Sequence, residues 1–178
     1  MPNRLPPPAM GIEAKGLGPC VYIATSSGLH NWARANDTSY LFKVGYTEQL
    51  HVRSDTLNGR GWRSHRIHST PCMGFTDWRL VPCMDFVHLH WARKVEGQVK
   101  NGLWRILERF DPKPLIGDSR PSNGESEIFR IRPDRIPDAV AYAGTAITNT
   151  FNKPKVQAAM EVLVHEIARY ETERSSIK

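Results

Sequence analysis

Apolar residues follow two patterns along the chain, and the change from one to the other orders the reading. Residues 20–24 (Cys-Val-Tyr-Ile-Ala) alternate, with Val21 and Ile23 on one face and Tyr22 on the other, as in a half-buried strand. Residues 42–44 read as the end of a second strand. Gly45 is expected to stop it, being a residue that allows a positive φ and lets another backbone or a ligand come close. The two strands predict a hairpin. Its connection, residues 25–39, is longer than an ordinary hairpin loop, with turn signals in Ser26-Ser27-Gly28 and Asn36-Asp37-Thr38-Ser39. Residues 78–84 read as a third strand, where Pro82 suits a strand end or a sheet edge.

Elsewhere the period is helical. After Gly45, Thr47 is a fair N-cap, and Leu50, Arg53 and Leu57 share one side of the helix that follows. A long helix is predicted from near Asp85, with the stripe Val87, Trp91, Val95, Val99, Leu103, Ile106 or Leu107, and Phe110. Glu96 stands one step beside that stripe, with Ala92 a turn earlier. Ile136, Val140, Ala143 and Ile147 line another helix. A last one, over residues 155–173, carries Val156, Met160, Leu163, Ile167 and Tyr170. Its alternating steps of four and three serve either packing on the domain or pairing with a second subunit.

Length and charge narrow the picture. A chain of 178 residues buries one real core, so the expected organisation is a flexible leader (1–18), a central domain (19–131) and a C-terminal helical extension (132–178). The net charge of +6 and pI near 9.4 suit a polyanionic partner. Residues 62–68, expected to form an edge strand or ribbon, interleave Trp62 with Arg63 and Arg66, a composition fit for base stacking and phosphate contact. Trp32 and Arg34 either touch a nucleic acid or cover the hairpin. Three cysteines without paired spacing give no disulfide framework, and no secretory signal is evident, so a reducing cytoplasm is the expected setting. No apolar run approaches bilayer length, so no membrane partner is expected. His65, His68, Cys72, Cys83, His88 and His90 cluster in sequence, but without the close pairs of a structural zinc site.

Val21-Tyr22, then Lys43-Val44-Gly45, then Arg53 eight residues beyond the glycine, then Glu96 on a helix, together resemble the GIY-YIG endonuclease superfamily. The resemblance covers roughly residues 18–129. Residues 124–129 (Gly-Glu-Ser-Glu-Ile-Phe) partly match a segment of its phage-type branch, with Ile128 where an aromatic is common. The resemblance implies an α/β chain of the α+β type: a small three-stranded antiparallel sheet flanked by helices, here with extra C-terminal helices. It also implies an enzyme that hydrolyses DNA, with RNA left open. Tyr22 is the implied general base, Arg53 the group that stabilises the phosphorane, and Glu96 the ligand of Mg²⁺ or Mn²⁺. The family's second motif tyrosine is replaced by Lys43, as in the phage-type branch, and a cation there favours the phenolate of Tyr22. His51, within a turn of Arg53, is a candidate for phosphate binding or proton relay. Tyr46 and Glu127 are second-tier candidates, Glu127 as an orienting group. Concerted cutting of two strands implies a homodimer, for which the C-terminal stripe is the available hint. Cys20 stands where the family has glycine. With the missing tyrosine, that departure leaves one alternative: a nuclease-like fold kept as a nucleic-acid or protein interaction module without turnover.

Overall fold

A computed structural model describes residues 9–36, 39–60, 62–63, 66–67, 70–111, 128–145 and 152–177; the side chains of 62–63, 66–67 and 145 lie outside that description. The class is α+β. Among the described residues seven strands run in chain order as β1 (Cys20–Ser26), β2 (Tyr40–Thr47), β3 (Trp62–Arg63), β4 (Arg66–Ile67), β5 (Trp78–Asp85), β6 (Glu108–Arg109) and β7 (Ile128–Ile131). The helices are α1 (Ser27–Asn36), α2 (Leu50–Leu57), α3 (Leu89–Trp104), α4 (Ile136–Thr145) and α5 (Lys153–Ser175). Five strands form one antiparallel sheet in the order β5-β1-β2-β7-β6, and β3 pairs with β4 as a separate ribbon. The three strands expected from the sequence are therefore three neighbours in a sheet of five. The other two come from residues whose runs are too short to show an alternation.

The sheet separates two cores. Val21, Ile23, Phe42, Val44 and Phe129 meet α3, α4 and α5 in the larger one. Tyr22, Ala24, Leu41 and Ile128 meet α1, α2 and Trp78 in the smaller one. The strand alternation predicts this partition, down to Tyr22 on the face opposite Val21 and Ile23. Pro82 sits on the edge strand β5, facing Tyr22, beside a bulge between Val21 and Tyr22.

Three expectations need correction, and for Trp32, where two readings stood open, the structure fits the covering one. The long hairpin connection is a helix, α1. Ser26 Oγ accepts from the Leu29 N–H at 3.1 Å, and the Asp77 carboxylate accepts from the Gly28 N–H at 2.8 Å, so this helix start is completed by a residue fifty positions away. Trp32 covers the smaller core, edge-on to Phe110, and Arg34 pairs with Glu171 at 3.1 Å. Residues 9–18, expected to pack little, are tied down: the Lys15 and Gly16 N–H groups donate to the Asp85 carboxylate at 2.7 and 2.8 Å, and Gly11 is buried. On α3 the buried stripe is Ala92, Val95, Glu96, Val99 and Leu103, whereas Val87 precedes the helix and Trp91 is half exposed.

The C-terminal helices belong to the larger core. Val156, Met160, Leu163, Ile167 and Tyr170 are all buried there, so the stripe read from the sequence packs within its own chain. The approach of α5 to α3 is close. A Cβ at Gly102 would stand 2.5 Å from Val156 Cγ2, and Lys155 Nζ donates to Gln98 Oε1 at 2.9 Å. Among the described residues no helix is long and apolar enough to cross a membrane.

Two outcomes follow from this packing. Leu163→Ala removes a fully buried side chain from the shared core and should cost about 2–5 kcal/mol, read as a lower urea midpoint. His30, buried between Tyr40 and Tyr170, has its pKa lowered from 6.5 to about 4 by burial, with Arg169 adding to the effect and Asp77 and Glu171 opposing it. Above pH 6.5 both folded and unfolded chains keep this ring neutral. Below it only the unfolded chain takes up the proton, so stability falls with falling pH and the loss approaches about 3 kcal/mol near pH 4. Urea titrations at pH 7 and pH 4.5 should show a clearly smaller drop for His30→Gln than for the wild type.

Candidate functional site

Tyr22 stands opposite Gly45 of β2 and Pro82 of β5. Its ring crosses β2 where residue 45 has no side chain: a Cβ there would collide with Tyr22 Oη and Cζ and lie 3.1 Å from Cε1. Gly45 is needed for this close approach alone. It has no positive φ and does not end the strand, which runs on to Thr47. Lys43, two residues earlier, projects to the same side of β2 as position 45 and is buried.

The next turn delivers α2. Thr47 Oγ1 accepts from the Gln49 N–H at 3.2 Å, so it stabilises the turn, and Gln49 is the N-cap. Leu57 anchors the helix in the smaller core. Asn58, just beyond it, clamps Trp78 from both sides, its Nδ2 donating to the Trp78 carbonyl at 3.0 Å and its Oδ1 accepting from the Trp78 N–H at 2.6 Å. With α2 held at that end, Arg53 Nε donates to Tyr22 Oη at 3.0 Å.

From the other side α3 contributes Arg93, Glu96 and Lys100, three and four residues apart on one helical face. These three, with Tyr22, Lys43, Gly45, Tyr46 and Arg53, line a cleft of 330 Å³. Glu96 is 6% exposed, and its Oε1 lies 2.9 Å from Lys100 Nζ. Among the described residues the lining thus has four basic side chains, Lys43, Arg53, Arg93 and Lys100, against one acidic, Glu96. Such a cleft attracts anions.

Among the candidates from the sequence, Tyr22, Lys43, Arg53, Glu96 and Tyr46 come together here. His51 is exposed on α2 and is not part of the lining. Glu127 lies outside the described residues. Trp62, Arg63 and Arg66 belong by backbone to the β3–β4 ribbon, paired Trp62 with Ile67 and Arg63 with Arg66, and their side chains lie outside the description. Arg93 and Lys100 were not singled out from the sequence. Their signal was present in their spacing from Glu96, at i−3 and i+4.

The donor set fits Mg²⁺ or Mn²⁺ in one way: Glu96 offers a hard oxygen, and the remaining positions are left to water and to ligand oxygens. A zinc cluster finds no support among the described residues, where no group of three or more His, Cys, Asp or Glu gathers in space. Cys72 lies in the smaller core and Cys83 in the larger, on opposite faces of the sheet, and His88 and His90 are exposed. Burial raises the Cys83 thiol pKa, and burial with nearby Asp85 raises that of Cys20 to about 12, which keeps both protonated. His65 and His68 lie outside the described residues. Comparison of the chain with protein-family models, with curated proteins and with solved structures finds no match.

Gly45→Ala forces the Tyr22 ring off its path and should cost about 1–3 kcal/mol in urea unfolding, more than an alanine placed at a strand position with open space.

Proposed function

We propose that the chain is a divalent-metal-dependent endonuclease of the GIY-YIG kind that hydrolyses phosphodiester bonds in DNA. One observation carries the reading. Tyr22, Lys43, Arg53 and Glu96, spread over four elements, line a single basic cleft in which Arg53 Nε reaches Tyr22 Oη at 3.0 Å.

Hydrolysis of a phosphodiester needs a base for water, positive charge around the phosphorus and help at the leaving oxygen. Tyr22, as phenolate, takes the proton of the attacking water while the water oxygen bonds to phosphorus. Lys43 steadies negative charge on that phenol oxygen. Arg53 covers the oxygen in the free protein. When phosphate enters, the guanidinium turns its fork to the non-bridging oxygens and offsets the charge of the phosphorane. The bond to the 3′ oxygen then breaks and that oxygen takes a proton from solvent water, giving a 5′-phosphate and a 3′-hydroxyl by analogy with the family. Glu96 is the residue that would hold Mg²⁺ or Mn²⁺, and a bound ion supplies Lewis-acid stabilisation at the phosphate and leaving-group oxygens.

The same diester occurs in RNA, and DNA is favoured through the family resemblance. With one cleft per chain, concerted cutting of two strands takes two chains. A homodimer through α5 would use the exposed side of that helix, because its apolar stripe packs inside.

Supercoiled plasmid incubated with Mg²⁺ or Mn²⁺ tests the proposal. Tyr22→Phe, Arg53→Ala and Glu96→Ala should each lower nicking by about 10²-fold or more, with far-UV circular dichroism unchanged. Full activity of Glu96→Ala in EDTA would refute the metal assignment. Binding of DNA without cleavage across duplex, branched and single-stranded substrates would favour the interaction-module alternative.

A further inference from the structure

The charge balance of the cleft bears on the order in which ligands arrive. Glu96 already has a cation on it: Lys100 Nζ sits 2.9 Å from Oε1, in a pair where the lysine side chain is 14% exposed and the glutamate side chain 8%. The pair lies on consecutive turns of one rigid helix, so the contact is built into α3. Among the described residues, Lys43, Arg53 and Arg93 complete a lining with an excess of three positive charges. A divalent cation approaching this lining by itself is repelled and must share the Glu96 carboxylate with the ammonium on its Oε1. Repulsion at such range is strong, because the cleft walls screen charge far less than bulk water does.

A phosphate group reverses both terms. It brings negative charge to the basic lining, and its oxygens are partners for lysine and arginine donors at least as good as a carboxylate. It also supplies further hard oxygens of the kind Mg²⁺ and Mn²⁺ require. We propose that Lys100 is the resident counter-ion of Glu96, and that phosphate, by drawing Lys100 onto its own oxygens, opens Glu96 to a divalent cation. The ion and the phosphodiester then bind as a coupled pair, each raising the affinity of the other by the same factor. This rests on the reading of Glu96 as the metal ligand in a phosphate-binding cleft. In it Lys100 is a positioning residue that keeps the carboxylate occupied between substrates.

The test reads ion binding rather than cleavage. Mn²⁺ is titrated into the full chain and free Mn²⁺ is followed by electron paramagnetic resonance, with and without a short DNA duplex. Every chain in the titration carries Tyr22→Phe to prevent cutting, so wild type here means unchanged at Glu96 and Lys100, and Glu96→Gln with the same duplex gives the background from ions held by DNA alone. The wild-type chain should bind Mn²⁺ weakly when alone, and the duplex should raise affinity for one Glu96-dependent ion per chain by at least tenfold. Lys100→Met, which keeps the length of the side chain and removes its charge, should gain at least tenfold in Mn²⁺ affinity without DNA and lose most of the dependence on the duplex. Lys100→Arg should retain that dependence. Equal Mn²⁺ affinity of the wild-type chain with and without duplex, at one Glu96-dependent ion per chain, would overturn the coupling while leaving Glu96 a metal ligand. Mn²⁺ binding no greater than that of Glu96→Gln under every condition would overturn the metal assignment, and the coupling with it. The wild-type comparison decides the matter even if Lys100→Met fails to fold.

Discussion

Tyr22 is fully buried in the smaller core, yet its hydroxyl forms part of a cleft wall, because the ring passes over β2 at the one position where that strand lacks a side chain. The rest of the cleft is placed around that crossing. Arg53 can meet the phenol oxygen because α2 starts two residues after β2 ends and is fixed at its far end by Leu57 and the Asn58–Trp78 clamp. Trp78 begins β5, which pairs with β1 and so with Tyr22 itself. The guanidinium and the phenol are thus located by one closed loop of contacts: β1 to β2 to α2 to β5 and back to β1.

A second carboxylate in the chain shows what an ordinary buried charge looks like here. Glu166 is 2% exposed and takes Arg79 Nε at 3.2 Å and Arg169 Nη2 at 3.1 Å. Its partners come from two different elements and lock α5 to β5, a use of buried charge that secures an arrangement once the desolvation cost is offset. Glu96 differs in company and in setting. Its ion pair with Lys100 lies within one helix, and it opens on a cleft with three further cations.

Much of this was legible in the sequence, for reasons that can be traced. The alternation in residues 20–24 placed Tyr22 on the opposite face from Val21 and Ile23, and the period of α5 marked Val156, Met160, Leu163, Ile167 and Tyr170, all buried, though not Ala158, Ala159, Val162 or Glu166. What stayed hidden depends on distant parts of the chain. Residues 27–36 carry only Leu29, Trp32, Ala33 and Ala35 as apolar positions, and the helix start is completed by Asp77, which no local pattern reveals. Strand β7 is four residues long, and its pairing with β2 is set by register rather than by composition. Gly45 was singled out for the right position and partly the wrong property: its backbone is ordinary, and the missing Cβ is what counts. Arg93 and Lys100 lie outside the apolar stripe of their helix, and only the cleft gives them a common neighbour in Glu96.

The contact of Gly102 with Val156 has a bearing on how the molecule comes into being. Helix α3, which presents Glu96, is braced by α5, and α5 is translated only after every other part of the cleft has been made. A nascent chain on the ribosome therefore holds Tyr22, Lys43, Arg53 and Glu96 long before the helix bearing Glu96 has its support. The basic cleft takes its final shape only once α5 has docked against α3.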